Sequence, residues 1–242
     1  RFILGLGSQI RPHITKRFSM PWSKPAARME DMVTAIKAIL NAWQKQSRLE
    51  HRGEFYNHTL MTPLFNPGPN PHDIPKIYVA AVGPLMTKAV ARSADGLLAH
   101  PFNTPTYLKN ITLPLIDEAL SSINKERDAF DLSISVMTGI GATEESHKKA
   151  VRACRDQVAF YASTPNYKAV LELHGYEELS GELNRLSKEG KWQQMGDAID
   201  DEILNTFAVI SESPQKLANE ILNRYGNTGE RIAPILYSGE LD

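Results

Sequence analysis

Two short motifs carry residue types that could bind and position a charged ligand. Gly83-Pro84 follows the apolar run Ile77 to Val82, and His100-Pro101 follows a second apolar run, Gly96 to Ala99. A glycine before a helix lets a ligand approach the backbone closely, and proline suits the first helical position. The free N–H groups and the dipole of such a helix would stabilise an anion such as a ligand phosphate. The imidazole could bind the same ligand or act as an acid or a base near neutral pH.

A strand, a helix and a second strand must form to position these motifs. Both apolar runs are typical of short buried strands, and the residues between them are apolar at helical spacing. A helix that joins two buried strands over so short a distance is the βαβ crossover, in which the strands are parallel. Parallel neighbours end at the same edge of a sheet. We therefore expect Val82, Gly83 and His100 to lie at one edge.

The rest of the chain continues this alternation of strands and helices. Five strands are predicted, near residues 2–7, 77–82, 96–100, 132–140 and 232–237. A complete βα barrel contains eight strands, so about three βα units would be absent before the first of these. An open doubly wound sheet of five strands is the alternative architecture.

A helical segment interrupts the alternation in the second half of the chain. Residues 165–199 have a helical pattern with no strand between the helices, and we interpret them as an insertion within a single domain, residues 1–242. Asp200-Asp201-Glu202 follows this segment and could suggest paired carboxylates for acid–base catalysis. Acidic residues directly before an apolar helix are more typical of N-terminal capping, so we assign them that role.

Composition narrows the classes of partner. The formal net charge is -1 and no long run has one sign, which argues against nucleic acid as a partner. The single cysteine, Cys154, excludes an internal disulfide and a thiolate metal cluster, and no other compact set of metal ligands is present. No apolar run approaches the roughly 20 residues that span a bilayer. These features predict a cytoplasmic protein that binds a small molecule, with no metal and no membrane partner.

The first predicted strand ends at Gly7-Ser8 and is followed by a basic loop. This loop contains His13 and the basic residues Arg11, Lys16 and Arg17. The positive charges could attract an acidic group of a ligand, or they could form a solvated surface loop.

Several runs, taken together and in order, are similar to the luciferase-like monooxygenase superfamily: RFILGLGSQI, FSMPWSKPAARM, GEFYNHTLMTP, IYVAAVGP with SADGLLAHPF, and DDEILNTFAVI. More narrowly, they resemble its bacterial branch that depends on the deazaflavin coenzyme F420. The resemblance implies an α/β fold, a (β/α)8 TIM barrel with an inserted helical segment. It implies that the chain enters the barrel at the fourth strand, apparently lacking the first three βα units, and it suggests a homodimer.

The resemblance also implies roles for particular residues. In the family, the flavin or deazaflavin lies across the C-terminal mouth of the barrel. The positions that match its cofactor contacts are Gly7, Ser8, His13, Val82, Gly83 and His100. The first three would border the ring system, the next two would hold the phosphate through their backbone, and the last would contact the cofactor at a strand end.

Three functions remain open on this basis. The leading hypothesis is an oxidoreductase that transfers hydride between coenzyme F420 and a small organic substrate. The first alternative is an FMN-dependent monooxygenase that acts with molecular oxygen, and the second is a barrel that binds a flavin without turnover. Phe102 and Trp22 are candidates for lining a water-poor face for the substrate. A hydrolase would need clustered carboxylates or histidines at the strand ends, which here carry mainly other residue types.

Overall fold

The structure is a computed structural model that describes residues 2–237 of the chain. The domain predicted for residues 1–242 therefore extends beyond it at both ends, and Arg1 and the last five residues lie outside the described part. The described residues divide into two compact units. The first contains the residues up to Leu98 together with the segment Leu115–Asp131, and the second contains the remainder.

The first elements in chain order are β1 (Ile3–Leu6), α1 (Pro25–Lys45), β2 (His51–Arg52), β3 (Asn57–His58), β4 (Lys76–Ala81), α2 (Pro84–Ser93), β5 (Gly96–Ala99), α3 (Pro105–Tyr107) and α4 (Leu113–Ser121). They are followed by β6 (Asp131–Ile140), α5 (Glu144–Ala162), α6 (Lys168–Glu172), α7 (Glu177–Lys188), α8 (Trp192–Asp197), α9 (Asp201–Phe207), β7 (Ala208–Ser211), α10 (Pro214–Tyr225) and β8 (Arg231–Leu236). Among residues 2–237, no helix has both the length and the apolar character that crossing a bilayer requires.

Parallel pairing of β1 with β4 organises the first unit. Leu6 lies opposite Val79 in this pair, and β5 is the next strand beyond β4. Ile77, Tyr78 and Val79 are almost completely buried, as expected for a parallel strand covered on both faces. Because β1 and β4 run in the same direction, the residues that follow them emerge at the same edge.

Asp31 on α1 fixes the small β2–β3 hairpin to the helix. Its Oδ2 accepts hydrogen bonds from the backbone N–H groups of Phe55 (2.6 Å) and Tyr56 (3.1 Å), and its Oδ1 lies 2.7 Å from Nε2 of His51. Burial alone would raise the pKa of Asp31, but these hydrogen bonds outweigh burial and hold its pKa below the usual value. The carboxylate is therefore a structural anchor.

Ion pairs connect the two long helices of the first unit to each other and to the strands. Arg92 of α2 donates two hydrogen bonds to Glu30 of α1, at 2.9 and 2.6 Å. Asp95 accepts from Lys37 of α1 at 2.8 Å and from the N–H of Ile77 in β4 at 2.8 Å. These contacts fix the position of α2, and hence of its N-terminus, relative to β4.

In the second unit, β6 pairs in parallel with both β7 and β8. Met137 lies opposite Ala208 in β7, and Thr138 lies opposite Leu236 in β8. Pro234 lacks an N–H for the ladder, yet it lies within β8 opposite Val136.

The helical segment at residues 165–199 joins the core of the second unit. Val170, Leu183 and Met195 from this segment are buried with Cys154 and Val158 of α5 in one apolar cluster. Its helical character is confirmed, while its status as an insertion stays a prediction. The capping interpretation of the acidic run that follows is also confirmed, because Asp200 accepts from the N–H of Ile203 at 2.8 Å at the start of α9.

Candidate functional site

The end of β1 places Gly7 and Ser8 beside the end of β4. A Cβ added to Gly7 would lie 3.7 Å from the Cβ of Ala80, so the two backbones are close at this point. The hydroxyl of Ser8 donates to the carbonyl of Gln9 at 3.2 Å. The first unit therefore brings these predicted residues to the strand edge at which Val82 and Gly83 also lie.

Gln9 is a residue of this region that sequence reasoning missed. It adopts a φ of 57°, in the left-handed region, and its Oε1 lies 3.2 Å from Nδ1 of His13. This contact ties the exposed His13 imidazole to the loop just after β1. The basic side chains of the same loop, Arg11, Lys16 and Arg17, are exposed.

The N-terminus of α2 has the features expected of an anion-binding site. Gly83 is its N-cap, with φ 80° and ψ 161°, and no side chain caps the first turn. A Cβ added to Gly83 would meet no described atom within 4 Å, so the space in front of the helix is open. The first turn contains no acidic side chain, and it is flanked by the exposed apolar residues Val82 and Leu85. The uncapped N–H groups and the positive end of the dipole would stabilise a phosphate.

His100 directly follows β5 and belongs to the second unit. Its Nδ1 accepts a hydrogen bond from the N–H of Phe102 at 3.1 Å. Burial lowers the pKa of His100 to about 4, so the ring is neutral at pH 7. Because Nδ1 is the acceptor, the hydrogen of the neutral ring is on Nε2. Nε2 has no hydrogen-bond partner within residues 2–237, so it is a donor that a ligand could use.

Two tyrosines contact this imidazole, and a third tyrosine meets one of them. The ring of Tyr167 stacks on His100 with centroids 4.6 Å apart, and the ring of Tyr161 meets it edge-on, also at 4.6 Å. The hydroxyl of Tyr161 lies 3.4 Å from that of Tyr237, which directly follows β8. We call these three tyrosines together with His100 and Phe102 the His100 cluster.

Phe102 is a candidate for lining a water-poor face for the substrate, and that role stays a prediction. It is only 2% exposed, and its ring stacks on that of Phe207 with centroids 4.5 Å apart and an interplanar angle of 4°. It is therefore a buried apolar side chain packed against the rings of the second unit. Trp22 lies in the first unit and is partly buried, and its proposed contact with substrate stays a prediction.

Asn103 is a further polar residue that sequence reasoning missed. Its Nδ2 donates to the carbonyls of His100 (2.5 Å) and Ser135 (3.0 Å), which fixes the orientation of the amide. Its Oδ1 is then left buried without a donor among the described residues. A buried acceptor of this kind is normally satisfied by a water or a ligand.

The predicted site residues thus fall into two groups. Gly7, Ser8, His13, Val82 and Gly83 lie in the first unit, at or after the ends of β1 and β4. The second unit contains the remaining predicted residue, His100, together with the aromatic side chains of the His100 cluster. No local sequence signal could have assigned the tyrosines of that cluster to the site, because they come from separate elements far apart in the chain.

Comparisons with known proteins identify the family. The family model for luciferase-like monooxygenases matches residues 1–231. An uncharacterized protein of Mycobacterium tuberculosis is 46% identical over 235 residues, which cover 97% of this chain and 69% of the relative. An F420-dependent glucose-6-phosphate dehydrogenase of Intrasporangium calvum is 24% identical over 91% of this chain and 60% of its own length.

A solved structure shows the same fold. The coenzyme F420 dependent tetrahydromethanopterin reductase of Methanopyrus kandleri matches with a TM-score of 0.72 at 18% identity, over 97% of this chain and 67% of that chain. The predicted α/β fold is therefore confirmed, with parallel strands that match a luciferase-like TIM barrel over about two thirds of its length. From this fold and the match over residues 1–231, the chain belongs to the luciferase-like monooxygenase family.

Proposed function

We propose that this protein is an oxidoreductase that transfers hydride between coenzyme F420 and a small organic substrate. The observation that carries the proposal is the open, uncapped N-terminus of α2 at Gly83, next to the end of β1. Membership of the family supports a flavin or deazaflavin as the ligand, and the F420-dependent relative from Intrasporangium calvum supports the deazaflavin.

The residues present fit the phosphate of such a cofactor. At Gly83 the backbone has a positive φ that suits glycine, and the space a side chain would occupy is empty. The uncapped N–H groups of the first helical turn would donate to phosphate oxygens, as in other helix-terminus sites. Gly7 and Ser8, at the end of the neighbouring strand, would border the cofactor, with His13 held over the same loop by Gln9.

His100, in the second unit, fits an uncharged group of a ligand. Its neutral ring offers one N–H donor at Nε2, which would bind a carbonyl oxygen or a ring nitrogen. Because its pKa is about 4, it would act as a hydrogen-bond donor at neutral pH and would not carry positive charge. This replaces the expectation that His100 changes charge near pH 7.

The bound cofactor would supply the hydride chemistry, and the protein would hold and shield it. The helix N-terminus would anchor the phosphate. The residues beside Gly83 would limit how closely the cofactor approaches the N-terminus of α2.

FMN-dependent monooxygenation is the second candidate. It is favoured by the description of the matched family, and a helix N-terminus would bind the FMN phosphate equally well. A turnover assay separates the candidates. The complete protein is mixed with reduced F420 or reduced FMN and a panel of organic carbonyl compounds, and the spectrum of the cofactor is followed with and without oxygen. We expect oxidation of F420 that depends on the carbonyl compound and not on oxygen.

The opposite pattern, oxygen-dependent consumption of reduced FMN with an oxygenated product, would replace the leading candidate by the second. Binding of either cofactor without any redox change would support a barrel that has no catalytic turnover.

A further inference from the structure

The His100 cluster contains hydrogen-bonding groups that its own residues leave unused. Nε2 of His100 and the hydroxyl of Tyr167 have no partner in the described part of the chain. The hydroxyls of Tyr161 and Tyr237 have only each other, at 3.4 Å. A good O–H···O bond is about 2.7–2.8 Å, so this pair is weak. The cluster therefore has donors to offer to a ligand.

These groups lie where ligands of this type of fold are expected. His100 directly follows β5, and Tyr237 directly follows β8. In parallel α/β proteins, ligands bind at the carboxyl ends of the strands. Buried Phe102, stacked on Phe207, lies against the rings of Tyr161 and Tyr167, with centroids 6.0 and 5.7 Å away. An apolar pocket with a few convergent polar groups is the usual form of a small-molecule site.

The surroundings disfavour charge of either sign. Burial lowers the pKa of His100, which opposes a positive charge, and burial raises the pKa of Tyr167 to about 12 and also that of Tyr237, which opposes a negative charge. In residues 2–237, the ring contacts and side-chain hydrogen bonds of the cluster include no Lys, Arg, Asp or Glu. A charged group of a ligand would lose hydration here without gaining a counter-charge.

We propose that the His100 cluster is the subsite for the organic substrate, which presents an uncharged carbonyl or alcohol oxygen to the hydroxyls of Tyr161 and Tyr237. This assignment rests on the proposed function and names the substrate class within it. A ketone, an aldehyde or an alcohol next to a flat apolar group meets the requirements. A phosphorylated or carboxylated group at the same position does not.

Binding of three probes to the complete protein tests this, without added cofactor and by ligand-observed NMR titration. Acetophenone is flat, neutral and has a carbonyl oxygen, 4-acetylbenzoate adds a carboxylate, and ethylbenzene lacks the oxygen. We expect acetophenone to bind at least about tenfold more tightly than either of the others, since one hydrogen bond or one unpaired charge is worth about that factor.

Tyr161→Phe and Tyr237→Phe remove only a hydroxyl, so both variants keep the packing, and thermal unfolding checks this. Each should weaken acetophenone binding about fivefold and leave ethylbenzene unchanged. Tyr107→Phe is the matched control. Tyr107 packs against the same apolar core but has no ring contact with His100, so this variant should bind acetophenone as the wild type does.

Equal affinity for 4-acetylbenzoate, or equal losses in Tyr107→Phe and Tyr161→Phe, would overturn the assignment. Adding F420 or FMN decides whether the ligand oxygen that the cluster binds belongs to the substrate or to the cofactor. If the cofactor displaces acetophenone competitively, the cluster holds the cofactor ring and the substrate assignment is wrong; unchanged or tighter acetophenone binding supports it. If neither cofactor binds, the proposed function fails, while the probe titrations still decide whether the cluster binds a neutral carbonyl.

Discussion

Replacing Gly83 by alanine tests the phosphate site, because this change should weaken cofactor binding in addition to its effect on stability. A Cβ at Gly83 would meet no described atom within 4 Å, so the change creates no clash within the protein. The backbone there has φ 80° and ψ 161°, a region that costs a non-glycine residue about 1–3 kcal/mol. The methyl group would occupy the open space in front of α2. It should disturb one charge-assisted hydrogen bond to a phosphate, worth about 1.5–3 kcal/mol, and so weaken binding about 10–100-fold.

Gly68→Ala is the matched control. Gly68 has a φ of +81° and also has no atom within 4 Å of an added Cβ, so alanine there is likewise forced to a positive φ, away from α2. The assay is a fluorescence titration of F420 and of FMN into both variants and the wild type, with urea unfolding in parallel. Both variants should lose about 1–3 kcal/mol of unfolding free energy, and Gly68→Ala should keep its affinity. Wild-type affinity in Gly83→Ala would refute the phosphate assignment.

Two further predictions concern stability. His100 has a folded-state pKa of about 4 and an unfolded value near 6.5, so the unfolded chain binds more protons between these values and stability falls as pH falls through that window. Allowing for partial exposure, we expect urea unfolding to show a fall of about 1 kcal/mol in unfolding free energy from pH 7 to pH 5. His100→Asn should remove this fall. The same pH dependence in His100→Asn would contradict the neutral state of His100. Asp31→Asn should cost about 2 kcal/mol because the amide cannot accept from Phe55, Tyr56 and His51 as the carboxylate does. Asp73 is an exposed carboxylate, so the control Asp73→Asn should cost under about 0.5 kcal/mol. Similar urea midpoints for the two variants would show that Asp31 is not an anchor.

Local patterns were sufficient to predict the elements that position α2. The apolar runs of β4 and β5, the glycine and proline between them and the helical spacing of α2 are all contiguous in the sequence. The capped start of α5 has an equally local cause, because Thr143 accepts from the N–H of Ser146 at 3.1 Å. Each of these features depends on neighbours only a few residues apart, so single-sequence reasoning finds them.

Other features depend on contacts that no local pattern contains. The helical residues from Pro105 to Ser121 contain a π-helical turn at Leu108–Thr112, and no local pattern marks that turn. The strand β7 has only four residues, and only its pairing with β6 makes it a strand. The left-handed backbone of Gln9 has no signature in residue type. The grouping of His100 with Tyr161, Tyr167 and Tyr237 depends on the tertiary fold, because the tyrosines follow or belong to different elements.

The most direct measurement of the central claim is the identity and affinity of the redox cofactor that the complete protein binds. Native mass spectrometry and absorbance titration with F420 and with FMN would give both the mass of the bound molecule and its dissociation constant. We expect one F420 per chain, bound at least about tenfold more tightly than FMN, a difference of about 1.4 kcal/mol. Tighter binding of FMN would contradict the deazaflavin assignment, and binding of neither would contradict a redox cofactor at the strand ends.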